Sequence, residues 1–216
     1  IGGTVNKTAM SLLLLMATAS YTWGNPSTGL MMFGIFGGLI LAIITIVKKT
    51  WAPYTVSAYA LLEGLALGGI SKIFDDLYPG IASQAIFLTF GILAALLLVY
   101  KTGLIKPTEN FKLGVCAATG GIAIMYLISW IMSMFGSGMS ILSPNNTSML
   151  SIGISLFVVV IASLNLVLDF DFIEEGVEKG NPKYMEWYGA FGLLVTLIWL
   201  YLAILRLLAQ LQSRRR

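Results

Sequence analysis

Acidic residues at the end of an apolar run are the residues of this sequence best suited to chemistry. The segment NLVLDFDFIEEG, residues 165–176, contains Asp169, Asp171, Glu174 and Glu175. This cluster holds four of the ten acidic residues in the chain. Carboxylates beside or inside apolar helices commonly mark ion pathways or proton relays. Cation attraction or proton exchange is therefore the first chemistry to consider.

Glu63 is a second candidate, because it lies ten residues into the apolar segment 53–73. At 1.5 Å per residue this depth is about 15 Å, near the middle of a bilayer core about 30 Å thick. A charge there costs at least about 2.5–3.5 kcal/mol. We expect Glu63 to face the protein interior in an ion or proton pathway; the alternative is a protonated glutamate that hydrogen bonds a neighbouring helix.

Helical periodicity separates the four acids of the cluster. Asp169 shares a face with Asn165, one turn earlier, whereas Asp171 points about 200° away from Asp169. Asp171 aligns instead with Glu174 and Glu175. We predict that Asp169 faces the other helices and that Asp171, Glu174 and Glu175 form a cation-attracting patch facing water or headgroups. A solvated helix end is the alternative reading of this patch.

Resident cofactors and nucleic acid are not expected. The chain has no histidine and one cysteine, which disfavours His-ligated metals, triad catalysis and internal disulfides. Calcium takes six to eight oxygen ligands, and the D-x-D-x-x-E-E pattern lacks the glycine of a calcium loop. We predict only a weak calcium contact at Asp169 and Asp171. The net charge of +3 depends largely on the arginines at 214–216 and indicates no nucleic-acid partner.

The elements that position these residues are membrane helices. The 216 residues are 57% hydrophobic and 11% charged, whereas soluble domains are roughly 25% charged. A bilayer core needs about 20 helical residues per crossing. We therefore predict an all-α, polytopic membrane protein with one transmembrane domain, 1–216, in contact with the lipid bilayer. Its seven spans are predicted at about 8–23, 28–47, 53–73, 81–100, 113–135, 149–169 and 187–208.

The distribution of lysines predicts the orientation. With the N-terminus inside, the inner segments before the C-terminal tail hold eight lysines and the outer ones hold only Lys72. Positive charge favours the cytoplasmic side, so we predict a cytoplasmic N-terminus. Seven crossings then place the arginines at 214–216 outside, against the same rule. A secretory signal within the first segment, LLLLMATAS, is the alternative for that span.

Two further features concern contacts between helices. Small residues let helices approach closely in lipid, so GIFGG (34, 37, 38), EGLALGG (64, 68, 69) and ATGG (120, 121) are predicted packing faces. Arg206, near the end of the last span, can extend to the interface or pair with a buried carboxylate. Glu63 at mid-depth is a more reachable partner for Arg206 than Asp169, because Asp169 lies at the opposite membrane face in the predicted topology.

The segments SLNLVLDFDFIEEGVEKGNPKYMEWYGAFGLLVTLIWLYLAILRLL and YALLEGLALGGIS resemble the Bax inhibitor (transmembrane Bax inhibitor motif) family, most closely a bacterial branch. The resemblance implies seven helices with the last one central. It also implies a pH-sensitive calcium leak and location in a bacterial inner membrane. Calcium would then be the transported ion rather than a cofactor.

The same resemblance implies a pair of aspartates, on helices six and seven, that share a proton. Aligning the motifs places the first at Asp169 and the second at Thr196, which cannot carry a charge. The repulsion between two carboxylates that favours a shared proton is then missing. We therefore predict weaker pH control than a full pair provides, with Asp169, Glu63, Asn165, Thr196 and Arg206 along the ion pathway.

Three functions are compatible with the sequence. The first is a calcium-permeable leak channel or transporter gated by intramembrane carboxylates. The second is a regulator that transports nothing and binds another membrane complex, such as a quality-control protease. The third, an intramembrane enzyme, is disfavoured because the sequence has no G-x-S-x-G, H-E-x-x-H or G-x-G-D motif and no phosphate-binding loop. We predict that the chain is not an enzyme.

Overall fold

The computed structural model describes residues 2–136, 139, 142, 143 and 146–215, and in this part of the chain the regular structure is entirely helical. The elements are α1 (Gly2–Gly24), α2 (Thr28–Val47), a 3-10 turn (Lys49–Trp51), α3 (Ala52–Leu77), α4 (Ile81–Lys101), α5 (Glu109–Met134), α6 (Met149–Glu178) and α7 (Tyr184–Arg215). Each predicted span lies largely on its own helix. The all-α, polytopic fold class predicted from the sequence is confirmed.

Local sequence signals explain where several helices begin and end. The side chains of Ser27 and Thr108 accept hydrogen bonds from the third residue of α2 and α5, which caps the first turns. Gly180 adopts a φ of 64° just beyond α6, a conformation that suits glycine at a helix end. The helix α6 continues past the predicted span end at 169 to Glu178, so the acidic patch lies on a helix.

Six helices in the described part of the chain, all except α1, are long and apolar enough to cross a membrane. Polar residues lower the mean hydropathy of α1, and those in the middle of the helix are buried: Thr8 is 9% exposed and Ser11 is fully buried. Val5 and Leu13, by contrast, are 58% and 69% exposed. The exposed residues in the middle of α1 are therefore apolar, and the exposed polar residues Asn6 and Ser20 lie nearer its ends.

The chain forms two compact units. Unit 1 comprises Ile1–Ala82 and Asp169–Val195, and close backbone contacts hold its helices together. A Cβ atom on Gly64 of α3 would collide with the Leu15 carbonyl and the Thr18 side chain of α1. On α2, a Cβ atom on Gly34 would lie 2.5 Å from the carbonyl oxygen of Leu62 on α3. The predicted packing role of GIFGG and EGLALGG is confirmed.

Unit 2 comprises Ser83–Leu168 and Thr196–Arg216. The predicted packing role of ATGG in α5 is wrong, because a Cβ atom on Gly120 or Gly121 would meet nothing within 4 Å. The residues that α5 buries are Val115 and Ile122, and both glycines are exposed. Polar side chains provide contacts between helices in this unit, as described below.

The last helix packs inside both units. In unit 1, the ring of Phe191 on α7 contacts Tyr59 on α3 at a centroid distance of 5.2 Å, and Gly189 lies against Ile173 on α6. In unit 2, Leu200 and Leu205 are fully buried. The helix α7 thus contributes buried residues to each unit, and its central position in the bundle stays a prediction.

Candidate functional site

Glu63 faces α2 from the middle of α3. A Cβ atom on Gly38 of α2 would lie 2.6 Å from Oε1 of Glu63, so a side chain at position 38 would displace the carboxylate. One turn earlier on α3, Tyr59 is 4% exposed and lies beside the same face. Glu63 itself is half-buried, and among the described residues of unit 1 it makes no ion pair. The glycine thus makes room for an acidic group at the interface of α2 and α3.

Asp169 occupies a comparable position between α6 and α7. A Cβ atom on Gly192 of α7 would lie 3.2 Å from Oδ1 of Asp169, and Oδ2 of the same carboxylate is buried. Asp169 therefore faces another helix, as the periodicity predicted. Thr196 follows Gly192 by one turn of α7 and is 8% exposed. The correspondence of Thr196 with a charged family position stays a prediction.

The acidic patch is only partly as predicted. Glu174 and Glu175 are exposed, whereas Asp171 is half-buried. Glu175 forms an ion pair with Lys179 one turn later on α6, which reduces the negative charge available to a cation. In the described part of the chain, no group of three or more His, Cys, Asp or Glu residues could hold a metal. A weak calcium contact at Asp169 and Asp171 needs fewer ligands and stays a prediction.

Asn165 joins two helices of unit 2. Its Nδ2 atom donates to Oγ1 of Thr119 on α5 at 2.8 Å and to the carbonyl of Ile161 at 2.8 Å. The Thr119 hydroxyl in turn donates to the Val115 carbonyl at 2.8 Å. Thr119 was not predicted from the sequence, although a threonine in an apolar span is itself a signal. Asn165 thus has a structural contact, in addition to its predicted place along the pathway.

Arg206 also binds within unit 2. Its Nη1 atom donates to the hydroxyl of Tyr126 on α5 at 2.8 Å, and the guanidinium carbon lies 5.8 Å from the centre of the same ring. One turn later on α7, Gln210 donates from Nε2 to Oγ of Ser151 on α6 at 2.9 Å. Sequence reasoning missed Tyr126, Ser151 and Gln210, although Arg206 and Gln210 are spaced to share a helix face. The pairing of Arg206 with Glu63, which belongs to unit 1, stays a prediction.

The half-buried charged residues named above differ in sign between the two units. Glu63 and Asp169, both in unit 1, place carboxylate oxygens at helix contacts where a glycine leaves space. Such oxygens can compensate the charge of a cation that has lost part of its water. Arg206 places a guanidinium among the helices of unit 2.

Among known proteins, one family matches this chain. The family described as Bax inhibitor 1 like matches residues 1–213, nearly the whole chain. No curated protein and no solved structure matches the sequence. Because the match spans all seven helices, including α1, the family covers both units. The chain is a multi-pass integral membrane protein, and it belongs to the Bax inhibitor 1-like family.

Proposed function

We propose that this protein is a calcium-permeable leak channel or transporter rather than an enzyme, with intramembrane carboxylates that attract the ion. The observation that supports it most is the setting of Glu63: a half-buried carboxylate at mid-helix, beside Gly38, without an ion pair in unit 1. A charge at such a position is costly. A cation in transit offsets that cost.

Asp169 is the second carboxylate of the proposed pathway. It lies beside Gly192, so α7 offers space next to its carboxylate. The neighbouring polar residues on the same helices are Thr196, one turn after Gly192 on α7, and Asn165, one turn before Asp169 on α6; both belong to unit 2. Neither residue can ionise, so control by pH is weak. The exposed Glu174 and Glu175 attract cations to one end of α6, and the ion pair of Glu175 with Lys179 weakens this effect.

We propose further that the protein lies in a bacterial inner membrane with its N-terminus in the cytoplasm and seven crossings. The lysine distribution supports the orientation. The middle of α1 supports its membrane location, because the exposed residues there are apolar, whereas Thr8 and Ser11 are buried.

Calcium flux in liposomes that contain a calcium-sensitive dye tests this proposal. We expect the wild type to pass calcium and Glu63→Gln and Asp169→Asn to lower the initial rate about tenfold each, which corresponds to about 1.4 kcal/mol. Glu109→Gln is the matched control for Glu63→Gln, because Glu109 has an 86% exposed side chain. Asp76→Asn is the matched control for Asp169→Asn, because the side chain of Asp76 is 61% exposed.

The same assay separates transport from regulation. A wild type that passes no calcium between pH 5 and 8 would overturn the leak and favour the regulator that binds another membrane complex. With Thr196 in place of an acid, no pair of carboxylates shares a proton, so the flux should depend on pH no more steeply than it would with independent carboxylates. A steeper dependence on pH would contradict the weak pH control proposed here.

A further inference from the structure

Unit 2 contains a buried guanidinium whose hydrogen-bonding capacity is only partly used. Arg206 donates from Nη1 to Tyr126, whereas its Nε and Nη2 atoms are buried and have no hydrogen-bond partner among the described residues. Arginine stays protonated under ordinary conditions. A buried charged donor that lacks an acceptor is costly. An acceptor bound to Nε and Nη2 would remove this cost.

The identity of the two atoms indicates the shape of that acceptor. Nε and Nη2 form one edge of the planar guanidinium, and their N–H bonds run nearly parallel. Two oxygens of a phosphate or carboxylate match such an edge with two parallel hydrogen bonds. A single carbonyl oxygen or a ring would leave one of the two donors unused. The geometry of Arg206 therefore favours an oxyanion.

Two further buried polar atoms belong to the same part of unit 2. Ser155 on α6 is 2% exposed and Gln210 on α7 is fully buried, and neither Ser155 Oγ nor Gln210 Oε1 has a partner among the described residues. The contact of Gln210 with Ser151 sets the register of α6 against α7. Ser155 lies one turn after Ser151 on α6, and Arg206 lies one turn before Gln210 on α7. Because the two helices run in opposite directions, Ser155 and Arg206 lie at the same level along them.

We propose that unit 2 binds a phosphate group between α6 and α7. The Nε–Nη2 edge of Arg206 and the hydroxyl of Ser155 donate to the phosphate oxygens. Gln210 Oε1 accepts from a hydroxyl of the ligand or from its hydration water. The phosphate belongs either to the free ion or to a phospholipid headgroup that carries a hydroxyl, such as that of phosphatidylglycerol.

The test measures both sources with the full chain. In one arm, the thermal midpoint of the purified protein in detergent is followed against inorganic phosphate, with chloride at matched ionic strength as the reference. In the other, native mass spectrometry counts phosphatidylglycerol retained on the protein relative to phosphatidylcholine. We expect the wild type to respond in at least one arm, which identifies the source.

Arg206→Lys keeps the charge and removes the two-donor edge, so phosphate or lipid affinity should fall about tenfold. Ser155→Ala should lower it several-fold, and it provides a second test if Arg206→Lys folds poorly. The matched controls are Arg214→Lys, an exposed arginine on the same helix, and Ser11→Ala, a buried hydroxyl of unit 1 that also has no partner among the described residues. Both should bind as the wild type does.

Two results would overturn the phosphate site. One is a wild type that shows no phosphate-dependent rise in midpoint and no preference for phosphatidylglycerol. The other is binding by Arg206→Lys and Ser155→Ala that equals binding by the wild type. Neither result bears on calcium flux through Glu63 and Asp169.

Discussion

The two units hold their helices together in different ways. In unit 1, glycines on α2 and α3 bring backbones close enough that an added methyl group at position 34 or 64 would collide with a neighbouring helix. In unit 2, Gly91, Gly114 and Gly121 would accept a methyl group without meeting any atom within 4 Å. Among these positions, only the glycines of unit 1 allow the backbones of neighbouring helices to approach closely.

Unit 2 uses polar side chains where unit 1 uses glycines. Asn165 joins α6 to α5, Arg206 joins α7 to α5, and Gln210 joins α7 to α6. Lipid provides little hydrophobic drive for helix association, so tight packing and hydrogen bonds are the two available sources of stability. Each unit depends mainly on one of them, which makes the difference testable.

The largest expected effect compares one substitution at two glycines. Gly64→Ala places a methyl group against Leu15 and Thr18, so α1 and α3 must separate. We expect the free energy of unfolding in detergent to fall by about 3 kcal/mol, at the upper end for overpacking. Gly121→Ala, in open space on α5, should instead raise it by roughly 0.5–1 kcal/mol through helix propensity.

Equal effects at the two glycines would remove the distinction between the units. A denaturant titration of both variants with a helix-sensitive signal, such as circular dichroism, measures each free energy directly.

An intermediate effect is expected at the hydrogen bond between Tyr126 and Arg206. Tyr126→Phe removes the acceptor at 2.8 Å from Nη1 and leaves the ring in place. Hydrogen bonds to charged groups contribute about 1.5–3 kcal/mol, so we expect a loss of about 2 kcal/mol from the free energy of unfolding. The matched control is Tyr54→Phe, since Tyr54 is 82% exposed; its change should stay within about 0.5 kcal/mol. Indistinguishable losses from the two variants would show that unit 2 does not depend on this bond.

The smallest effect is expected at a polar contact inside unit 1. Thr45 on α2 donates to Thr55 on α3 at 2.7 Å, and both side chains are buried. Hydrogen bonds of this kind between membrane helices average about 0.6 kcal/mol in double-mutant cycles. We expect a coupling of that size for Thr45→Val with Thr55→Val, measured from the unfolding of both single variants and the double variant. A coupling above about 2 kcal/mol would mean that unit 1 also depends on polar contacts.

Much of the fold could be predicted from local sequence. Apolar runs of about 20 residues and the turns between them placed all seven helices, because crossing a bilayer imposes a length on each helix. The helical period also placed Asp169 towards another helix, and the structure has it beside Gly192. The candidate acids Glu63 and Asp169 stood out because charge is rare in apolar segments.

The partners of the site residues could not be predicted in the same way. From the sequence, Arg206 could equally be an interfacial residue or a member of an ion pair. In the structure, it hydrogen bonds to Tyr126, 80 positions earlier in the chain. Glu63 meets Gly38 on a different helix. Contacts of this kind depend on which helices become neighbours and on their rotation, which local patterns do not contain.

Three properties could be predicted from the sequence alone: the number of helices, the membrane environment and the positions where charge enters apolar segments. Those properties follow from helix length and from the cost of charge in lipid, both of which act on each segment separately. The tertiary structure adds three properties: Thr8 and Ser11 of α1 are buried, GIFGG and EGLALGG pack while ATGG does not, and a guanidinium edge is buried in unit 2. Each of these depends on atoms from distant parts of the chain meeting at one place, which only the arrangement of helices within a unit decides.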